Sequence, residues 1–291
     1  MFDQVTRTNE QNIAVIEINN PPVNALGYEV RKGILDCLKA AESDDAVVAI
    51  VIIGSGRTFP AGADITEFGT VMKEPHLPEV IDHIESCSKP VVAALHGTAL
   101  GGGFEIALGS HYRIADANAR VGLPEVHLGL LPGAGGTQRL PRLCGAAFAL
   151  DVMLKGTPVS AEAAKDVGLI DRITKGDLRR AAITFATEVR TVRKTCDETS
   201  QLKDHSAYRA DLAKAHKMVT SRMRGQIAPL KIIECVGAIL EKSFHEGRQL
   251  ERQCFMDCMA SDQSKGMIHA FFAERSSAKV PEASRAEPRI L

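Results

Sequence analysis

The sequence predicts an α/β protein in which a layered core of β-sheet and helices is followed by a helical C-terminal part. Two nearly continuous apolar runs, residues 46–53 and 91–95, are rich in β-branched or small side chains, which is typical of strands covered on both faces. Strand signals disappear after about residue 178. The 291 residues are enough for one large domain or two modest ones, and the sequence leaves both open.

Strands and helices alternate in the first two-thirds of the chain. Residues 13–18 are predicted to form a strand, because the segment is apolar and the turn-forming residues 19–22 follow it. Residues 27–41 are predicted to form a helix, because four apolar side chains recur on one face: Val30, Ile34, Leu35 and Leu38. Residues 112–115 and 120–121 are predicted to be further short strands.

The last third of the chain shows helical patterns only. The predicted helices span residues 178–192, 206–220, 226–241, 246–259 and 266–275, with a polar break at 261–265. Pro, Glu and Arg dominate the last residues, which is typical of a linker or tail. These observations predict three parts: an α/β core (1–177), a helical part (178–279) and a linker-like tail (280–291).

Composition and charge exclude several classes of function. The 35 Lys and Arg residues are balanced by 36 Asp and Glu residues, which gives a net charge of −1 and no footprint for nucleic-acid or membrane-surface binding. The seven cysteines are scattered and show no zinc spacing, so we expect reduced thiols and no metal site. The N-terminal residues lack the apolar stretch of a signal peptide. We therefore expect a cytoplasmic protein, or one that reaches an organelle by an address that is not visible in the sequence.

Three glycine-rich segments each follow a predicted strand, at residues 59–64, 97–105 and 129–137. Glycine allows unusual backbone dihedrals and close approach of a ligand to main-chain amides. Where such a turn opens a helix, the free amides and the helix dipole favour an anion. The glycine spacing does not match the dinucleotide fingerprint, the phosphate-binding loop or the nucleophile elbow. These turns are therefore expected to bind a group whose negative charge develops at a carbonyl.

The three segments resemble the signature regions of the crotonase (enoyl-CoA hydratase/isomerase) superfamily. The resemblance covers about residues 10–175, with the motifs in the family's order: 89–91, 111–115, 121–129, 132–140 and 156–169. Residues 255–279 are similar to the end of the hydratase half of the multifunctional β-oxidation enzymes. In those enzymes a linker and a dinucleotide-binding dehydrogenase follow, and we expect the dehydrogenase half to be absent from these 291 residues.

The resemblance implies a role for each motif. Glu105 and Glu125 would be the catalytic carboxylates, and the amides of Ala61 and Gly102 would form the oxyanion hole for the thioester oxygen. Gly133 would lie against the reacting end of the acyl chain. The backbone of Ala61, Gly62, Ala63 and Asp64 would follow the pantetheine arm of CoA, while the Asp64 side chain is expected to act mainly as a turn or cap residue.

Hydration of a 2-enoyl-CoA thioester explains these residue types. Negative charge grows on the thioester oxygen, so two fixed amides stabilise it. Two neighbouring carboxyls can hold different protonation states because their charges repel each other. We expect Glu105 to act mainly on the water and Glu125 to deliver a proton to C2.

Two other functions stay open at this point. A 3-enoyl to 2-enoyl-CoA isomerase can work with Glu125 alone, so the presence of both glutamates favours the hydratase. A non-catalytic binding protein on the same fold would need neither carboxylate. The resemblance implies an acyl-CoA substrate with no separate cofactor. It also implies either a homotrimer or a part that packs on a dehydrogenase absent from this chain.

Overall fold

A twisted six-stranded sheet and a small three-stranded sheet form the core of the molecule. The computed structural model describes residues 4–67 and 73–277. The strand order is β1-β2-β3-β4-β6-β9 in the large sheet and β5-β7-β8 in the small one. In the large sheet β1 pairs antiparallel with β2 and the other neighbours are parallel. The strands are β1 (Val5–Glu10), β2 (Ile13–Ile18), β3 (Ala49–Gly54), β4 (Val91–Leu95), β5 (Thr98–Leu100), β6 (Tyr112–Asp116), β7 (Arg120–Gly122), β8 (Val159–Ser160) and β9 (Arg172–Thr174).

Within residues 4–67 and 73–277, ten α-helices surround and extend these sheets. They are α1 (Tyr28–Glu42), α2 (Leu77–Ser86), α3 (Gly102–Gly109), α4 (Gly136–Lys155), α5 (Ala161–Asp166), α6 (Leu178–Glu188), α7 (His205–Arg222), α8 (Ala228–Gly237), α9 (Phe244–Ala260) and α10 (Asp262–Ser277). A short 3-10 helix, Glu125–Leu128, follows β7. The predicted α/β class and the helical C-terminal part are confirmed.

Both faces of the large sheet are covered, which explains its continuous apolar runs. All six residues of β3 are buried. Ile50 and Ile52 belong to a cluster with apolar side chains of α1, α2 and α3. Val51 lies on the other face, in a cluster that includes Ile183 of α6. Because successive side chains of a strand point to opposite faces, a strand between two layers has no polar positions left.

The C-terminal helices pack against two different parts of the core, the large sheet and α4. α6 packs on the large sheet, whereas α7 and α8 pack on α4. α9 contacts α4 and α8, and α10 contacts α9 and the 3-10 helix. The last two helices therefore lie beside the 3-10 helix and α4, the two elements that flank the third glycine-rich segment. The boundary at residue 177 stays a prediction, and the predicted tail, 280–291, lies outside the described residues.

Several predicted boundaries were wrong for identifiable reasons. β1 was missed, because it is an edge strand on which only Val5 is buried. The strand predicted from residue 46 begins at Ala49, since Val47 and Val48 complete the turn after α1. The helix predicted to end at 192 ends at Glu188. The expected polar break at 261–265 is reduced to Ser261, because α10 already begins at Asp262.

Candidate active site

Glu105 lies in the first turn of α3, a helix whose residues are all buried. The preceding Gly101 has φ 51° and ψ −130°, a conformation that side chains disfavour. A Cβ on Gly103 would lie 1.8 Å from the carbonyl oxygen of Pro60. Glycine at these positions therefore lets the start of α3 pack directly against the backbone of the first glycine-rich segment.

The Glu105 carboxylate is held by backbone amides. Glu105 is 3% exposed. Its Oε1 accepts hydrogen bonds from the amides of Ala134 and Gly136, each at 2.8 Å. A Cβ on Gly136 would lie 2.9 Å from the same oxygen. The turn formed by residues 134–137, hereafter the 134–137 turn, therefore fixes this carboxylate and requires a glycine to do so.

Glu125 is the first residue of the 3-10 helix that follows Pro124. Gly129, whose φ is 66°, caps the C-terminal end of this helix. Oε1 of Glu125 lies 3.0 Å from the position of a Cβ on Gly101, so the carboxyl group contacts the start of α3. Its Oε2 is buried and has no hydrogen-bond partner among the described residues. The structure thus brings both predicted catalytic glutamates to the N-terminal end of α3.

The two carboxyl groups have different environments. Burial, followed by the charge of Glu251, raises the pKa of Glu105 to about 7, although the amides of Ala134 and Gly136 oppose the shift. Burial, followed by the charge of Glu105, raises the pKa of Glu125 well above its usual value. Of these two carboxyls, the Glu105 carboxylate alone accepts amide hydrogen bonds from the 134–137 turn, and these bonds favour its ionised form.

The predicted oxyanion donor at Ala61 is not supported. The amide of Ala61 already donates to the carbonyl of Val23 at 3.1 Å. The amide nitrogen of Ala63 makes no hydrogen bond within the described residues and lies 3.4 Å from the Cβ position on Gly102. Gly102 is the first residue of α3, where an amide has no intrahelical acceptor. The geometry therefore pairs Gly102 with Ala63 instead of Ala61.

The other predicted contacts of the first glycine-rich segment are local. The carbonyl of Gly62 accepts a hydrogen bond from Leu26 at 3.0 Å, and Ala63 pairs with Leu26 in an isolated parallel bridge. Oδ1 of Asp64 accepts from the amide and hydroxyl of Thr66 at 3.0 and 2.7 Å. The Asp64 side chain is therefore a turn cap, and the roles of residues 61–64 towards CoA stay predictions.

Gly133 lies beneath an aromatic ring. A Cβ on this residue would lie 2.6 Å from Cδ2 of Phe255 on α9, which is closer than carbon atoms approach. Gly133 immediately precedes the 134–137 turn and lies near the Glu105 carboxylate. Its predicted place beside the reacting end of the acyl chain fits this location and stays a prediction.

Glu251 is a further site residue that the sequence did not reveal. It lies on α9 and is 0% exposed. Oε1 accepts from the amide of Gly135 at 2.7 Å, and Oε2 accepts from the amide and hydroxyl of Thr137 at 2.9 and 2.6 Å. One signal could have found it: the buried residues of α9 recur at spacings of four, three and four, at Gly247, Glu251, Cys254 and Cys258.

One group of side chains in the described ranges has the spacing of metal ligands. Glu74, His76 and Glu79 bring one ligand atom each within 4.8 Å of the others. Both glutamates are exposed, and a carboxylate oxygen of Glu79 accepts a hydrogen bond from the amide of His76 at 3.1 Å. This contact caps the start of α2, which explains the cluster without an ion. No helix of the described residues is long and apolar enough to cross a membrane.

The fold agrees with the comparisons to known proteins. The chain belongs to the enoyl-CoA hydratase/isomerase family, whose model matches residues 8–227. The predicted crotonase resemblance and fold are therefore confirmed. A solved carnitinyl-CoA hydratase from Mycobacterium avium is 30% identical, with a TM-score of 0.69 over 94% of this chain and 97% of that one.

The similar curated proteins are longer than this chain. The peroxisomal bifunctional enzyme of Danio rerio is 40% identical over 272 residues, which are 93% of this chain but 38% of that enzyme. A glyoxysomal fatty acid beta-oxidation multifunctional protein of Cucumis sativus is 36% identical over 95% of this chain and 40% of its own length. The chain thus spans about two-fifths of these relatives, as the resemblance of residues 255–279 predicted.

Proposed function

We propose that the protein is an enoyl-CoA hydratase that adds water to 2-enoyl-CoA thioesters and gives 3-hydroxyacyl-CoA in fatty-acid β-oxidation. One observation carries the proposal: two buried carboxyls, of which only Glu105 accepts amide hydrogen bonds from the 134–137 turn, lie at the start of a helix that also offers a free amide. Burying each carboxyl costs folding free energy. A catalytic function is a reason to keep such a pair, and a non-catalytic protein on this fold would have none.

The amides of Gly102 and Ala63 bind the thioester oxygen. As the water oxygen attacks C3, electrons move through the double bond to this oxygen, which gains negative charge. Both donors are backbone groups of fixed position, so they need no reorganisation when the charge develops. The dipole of α3, which begins at Gly102, adds to the stabilisation.

The glutamates move the protons. Ionised Glu105 accepts a proton from the water as the bond to C3 forms. Protonated Glu125 delivers its proton to C2 as the enolate collapses. This division follows from the hydrogen bonds, since two amides favour the ionised form of Glu105, whereas Oε2 of Glu125 has no partner among the described residues. After these two proton transfers Glu105 is protonated and Glu125 is ionised. Exchange of protons with solvent restores the starting state of both carboxyls.

An isomerase that shifts the double bond from C3 to C2 is the second candidate. Such a reaction needs one base that takes a proton from C2 and returns it at C4, and Glu125 can supply it. The buried, hydrogen-bonded Glu105 favours the hydratase as the main activity. The family model includes both reactions by its description, so isomerisation is proposed as a secondary activity.

The proposal includes an acyl-CoA substrate, no separate cofactor and a cytoplasmic location. CoA enters as part of the substrate, and the chemistry described above needs only side chains, amides and water. Several similar proteins are named as peroxisomal or glyoxysomal, so imaging of the tagged natural protein is the test of location. A homotrimer and association with a dehydrogenase part are alternatives that sedimentation of the purified chain distinguishes.

The direct test is hydration of crotonyl-CoA, measured as loss of the absorbance of the conjugated enoyl thioester. We expect turnover within the ordinary enzyme range of about 1 to 1,000 per second. A variant with both Glu105→Gln and Glu125→Gln is the matched control and should show none of it. Wild-type protein that binds crotonyl-CoA but leaves its absorbance unchanged would contradict the proposed function.

A further inference from the structure

The 134–137 turn is held by two carboxylates from different parts of the chain. Glu105 binds the amides of Ala134 and Gly136. Glu251, 146 positions further along the chain, binds the two amides that alternate with them and also the Thr137 hydroxyl. The four successive amides of one turn are therefore shared, two and two, between a carboxylate of α3 and a carboxylate of α9.

We propose that Glu251 is a positioning residue for the hydratase reaction, which holds the 134–137 turn in the conformation that presents two amides to Glu105. The inference rests on the proposed function. Glu251 itself binds backbone and side-chain donors of the protein, so it acts through Glu105. In this arrangement the C-terminal helix α9 completes the catalytic site of the α/β core.

The hydrogen bonds require a carboxylate at this position. Three donors point at the two oxygens of Glu251, from the amides of Gly135 and Thr137 and from the Thr137 hydroxyl. A glutamine offers one acceptor oxygen and an amino group, which would face a donor. At least one buried donor would then lose its partner, and such a loss disrupts local geometry because no water replaces it.

Burial raises the pKa of Glu251, while Arg248 and the Thr137 donors oppose this shift and favour the carboxylate, whose charge also acts on the pair. The charged groups that face Glu251 are Arg248 on α9, Arg139 on α4, and the two catalytic glutamates. Nε of Arg248 lies 3.8 Å from Oε1 of Glu251. The negative charge of Glu251 contributes to the raised pKa of Glu105, so its removal should let Glu105 ionise at lower pH.

The test compares Glu251→Gln with Glu246→Gln, the same substitution on the same helix. Glu246 is exposed and caps the start of α9 through Ser243, so its loss weakens the helix without touching the turn. We expect Glu251→Gln to lower kcat for crotonyl-CoA hydration on the order of ten- to a hundredfold, with KM within about twofold, because a small displacement of a catalytic group has this effect. The acidic limb of its pH profile should move to lower pH.

Glu246→Gln should keep the wild-type kcat and pH profile, even where its melting temperature falls. If Glu251→Gln lowers only the melting temperature, and kcat and the acidic limb at 25 °C match those of wild type, Glu251 is structural and the inference is wrong. A wild-type protein without hydratase activity contradicts the proposed function, and the inference falls with it. The two failures are therefore distinguishable.

A second pair of variants keeps the inference testable should Glu251→Gln not fold. Thr137→Ser retains the hydroxyl that donates to Glu251, whereas Thr137→Val retains the shape and removes that donor. We expect the valine variant to have the lower kcat, with a KM similar to that of the serine variant. Equal kcat values for two folded variants would overturn the positioning role.

Discussion

The amide of Gly136 donates to Oε1 of Glu105 at 2.8 Å, and a methyl group on Gly136 would lie 2.9 Å from that oxygen. The hydrogen bond and the absence of a side chain are thus two requirements at one residue. The relationship ties the third glycine-rich segment to a carboxylate of the second, and it explains why this part of the sequence contains so many glycines.

Gly136→Ala should therefore disable the site without disturbing the rest of the fold. The added Cβ would also lie 2.7 Å from Cβ of Pro132, so the turn must move away from Glu105. We expect kcat for crotonyl-CoA hydration to fall about a hundredfold, the effect typical of a displacement of about 1 Å in a catalytic group. Steady-state kinetics and circular dichroism measure the two effects separately.

Gly266→Ala is the control for this substitution. Gly266 lies in α10, and a Cβ there would meet nothing within 4 Å. Because alanine is the better helix former by about 1 kcal/mol, this variant should keep wild-type activity and equal or exceed wild-type stability. Wild-type kcat in Gly136→Ala would show that the turn does not position Glu105.

The raised pKa of Glu105 predicts a pH-dependent cost in stability. Folding raises this pKa from about 4.5 to about 7, so the folded state binds the proton more tightly than the unfolded state. The free energy of unfolding therefore falls as pH rises from 4.5 to 7, by up to about 1.4 kcal/mol per pH unit, and this loss is complete above pH 7. Below pH 4.5 the effect vanishes.

Glu105→Gln removes this titration while Oε1 can still accept the two amides. The melting temperature of the variant, relative to wild type, should therefore be higher at pH 8 than at pH 5. The total predicted difference is on the order of 3 kcal/mol, which is several degrees for a protein of this size. Calorimetry at both pH values decides the question, and a difference that does not change with pH contradicts the raised pKa.

The two activities of the family separate the roles of the glutamates. If Glu125 alone moves a proton between C2 and C4, Glu105→Gln should retain more 3-enoyl-CoA isomerase activity than hydratase activity. Both activities are measured on the same preparation, with Glu125→Gln as the matched variant that should lose both. Equal losses of the two activities in Glu105→Gln, or no isomerase activity in wild type, would show that this division of roles is wrong.

The start of α10 supports the 3-10 helix that carries Glu125. Ser264 is fully buried, and its hydroxyl donates to the carbonyl of Leu128 at 2.9 Å. Its Cα lies 3.0 Å from the Cβ position on Gly129, so the backbone of α10 packs closely on the end of the 3-10 helix. Because Ser264 is fully buried there, a larger side chain at residue 264 would push the 3-10 helix. Ser264→Leu should lower kcat about tenfold or more and also lower the melting temperature, since overpacking a buried site costs about 1–3 kcal/mol.

Lys265→Leu is the matched control, because Lys265 is the exposed neighbour of Ser264 on α10. This variant should keep wild-type kcat. Should Ser264→Leu behave like Lys265→Leu in both measurements, α10 would be a peripheral helix with no influence on Glu125.

Residues that follow a local pattern were predicted correctly. β3 and β4 were visible because strands between two layers have no polar positions, although β3 starts three residues later than predicted. The family resemblance singled out Glu105 and Glu125, which the structure brings together at the start of α3, and their catalytic roles stay predictions. The structure shows why those segments are rich in glycine: a Cβ would displace Pro60 at Gly103 or Glu105 at Gly136.

Residues whose role depends on a distant partner were not predicted. The role of Glu251 is visible only when α9 is placed against the 134–137 turn, more than 110 positions away in sequence. The choice between Ala61 and Ala63 depends on Val23, whose carbonyl occupies the first amide and leaves the second free. The spacing of residues on α9 indicates that Glu251 faces inward, but neither contact partner can be read from the local sequence, because each contact is created when separate segments pack together.

Hydration of crotonyl-CoA by three variants tests most directly whether Glu105 and Glu125 act together as base and acid. Glu105→Gln and Glu125→Gln should each lower kcat about a hundred- to ten-thousandfold, the usual contribution of general acid–base catalysis, while both still bind the product thioester. The double variant should be little worse than either single one, because groups that act as a unit are not additive. Near wild-type hydration by either single variant would contradict the account.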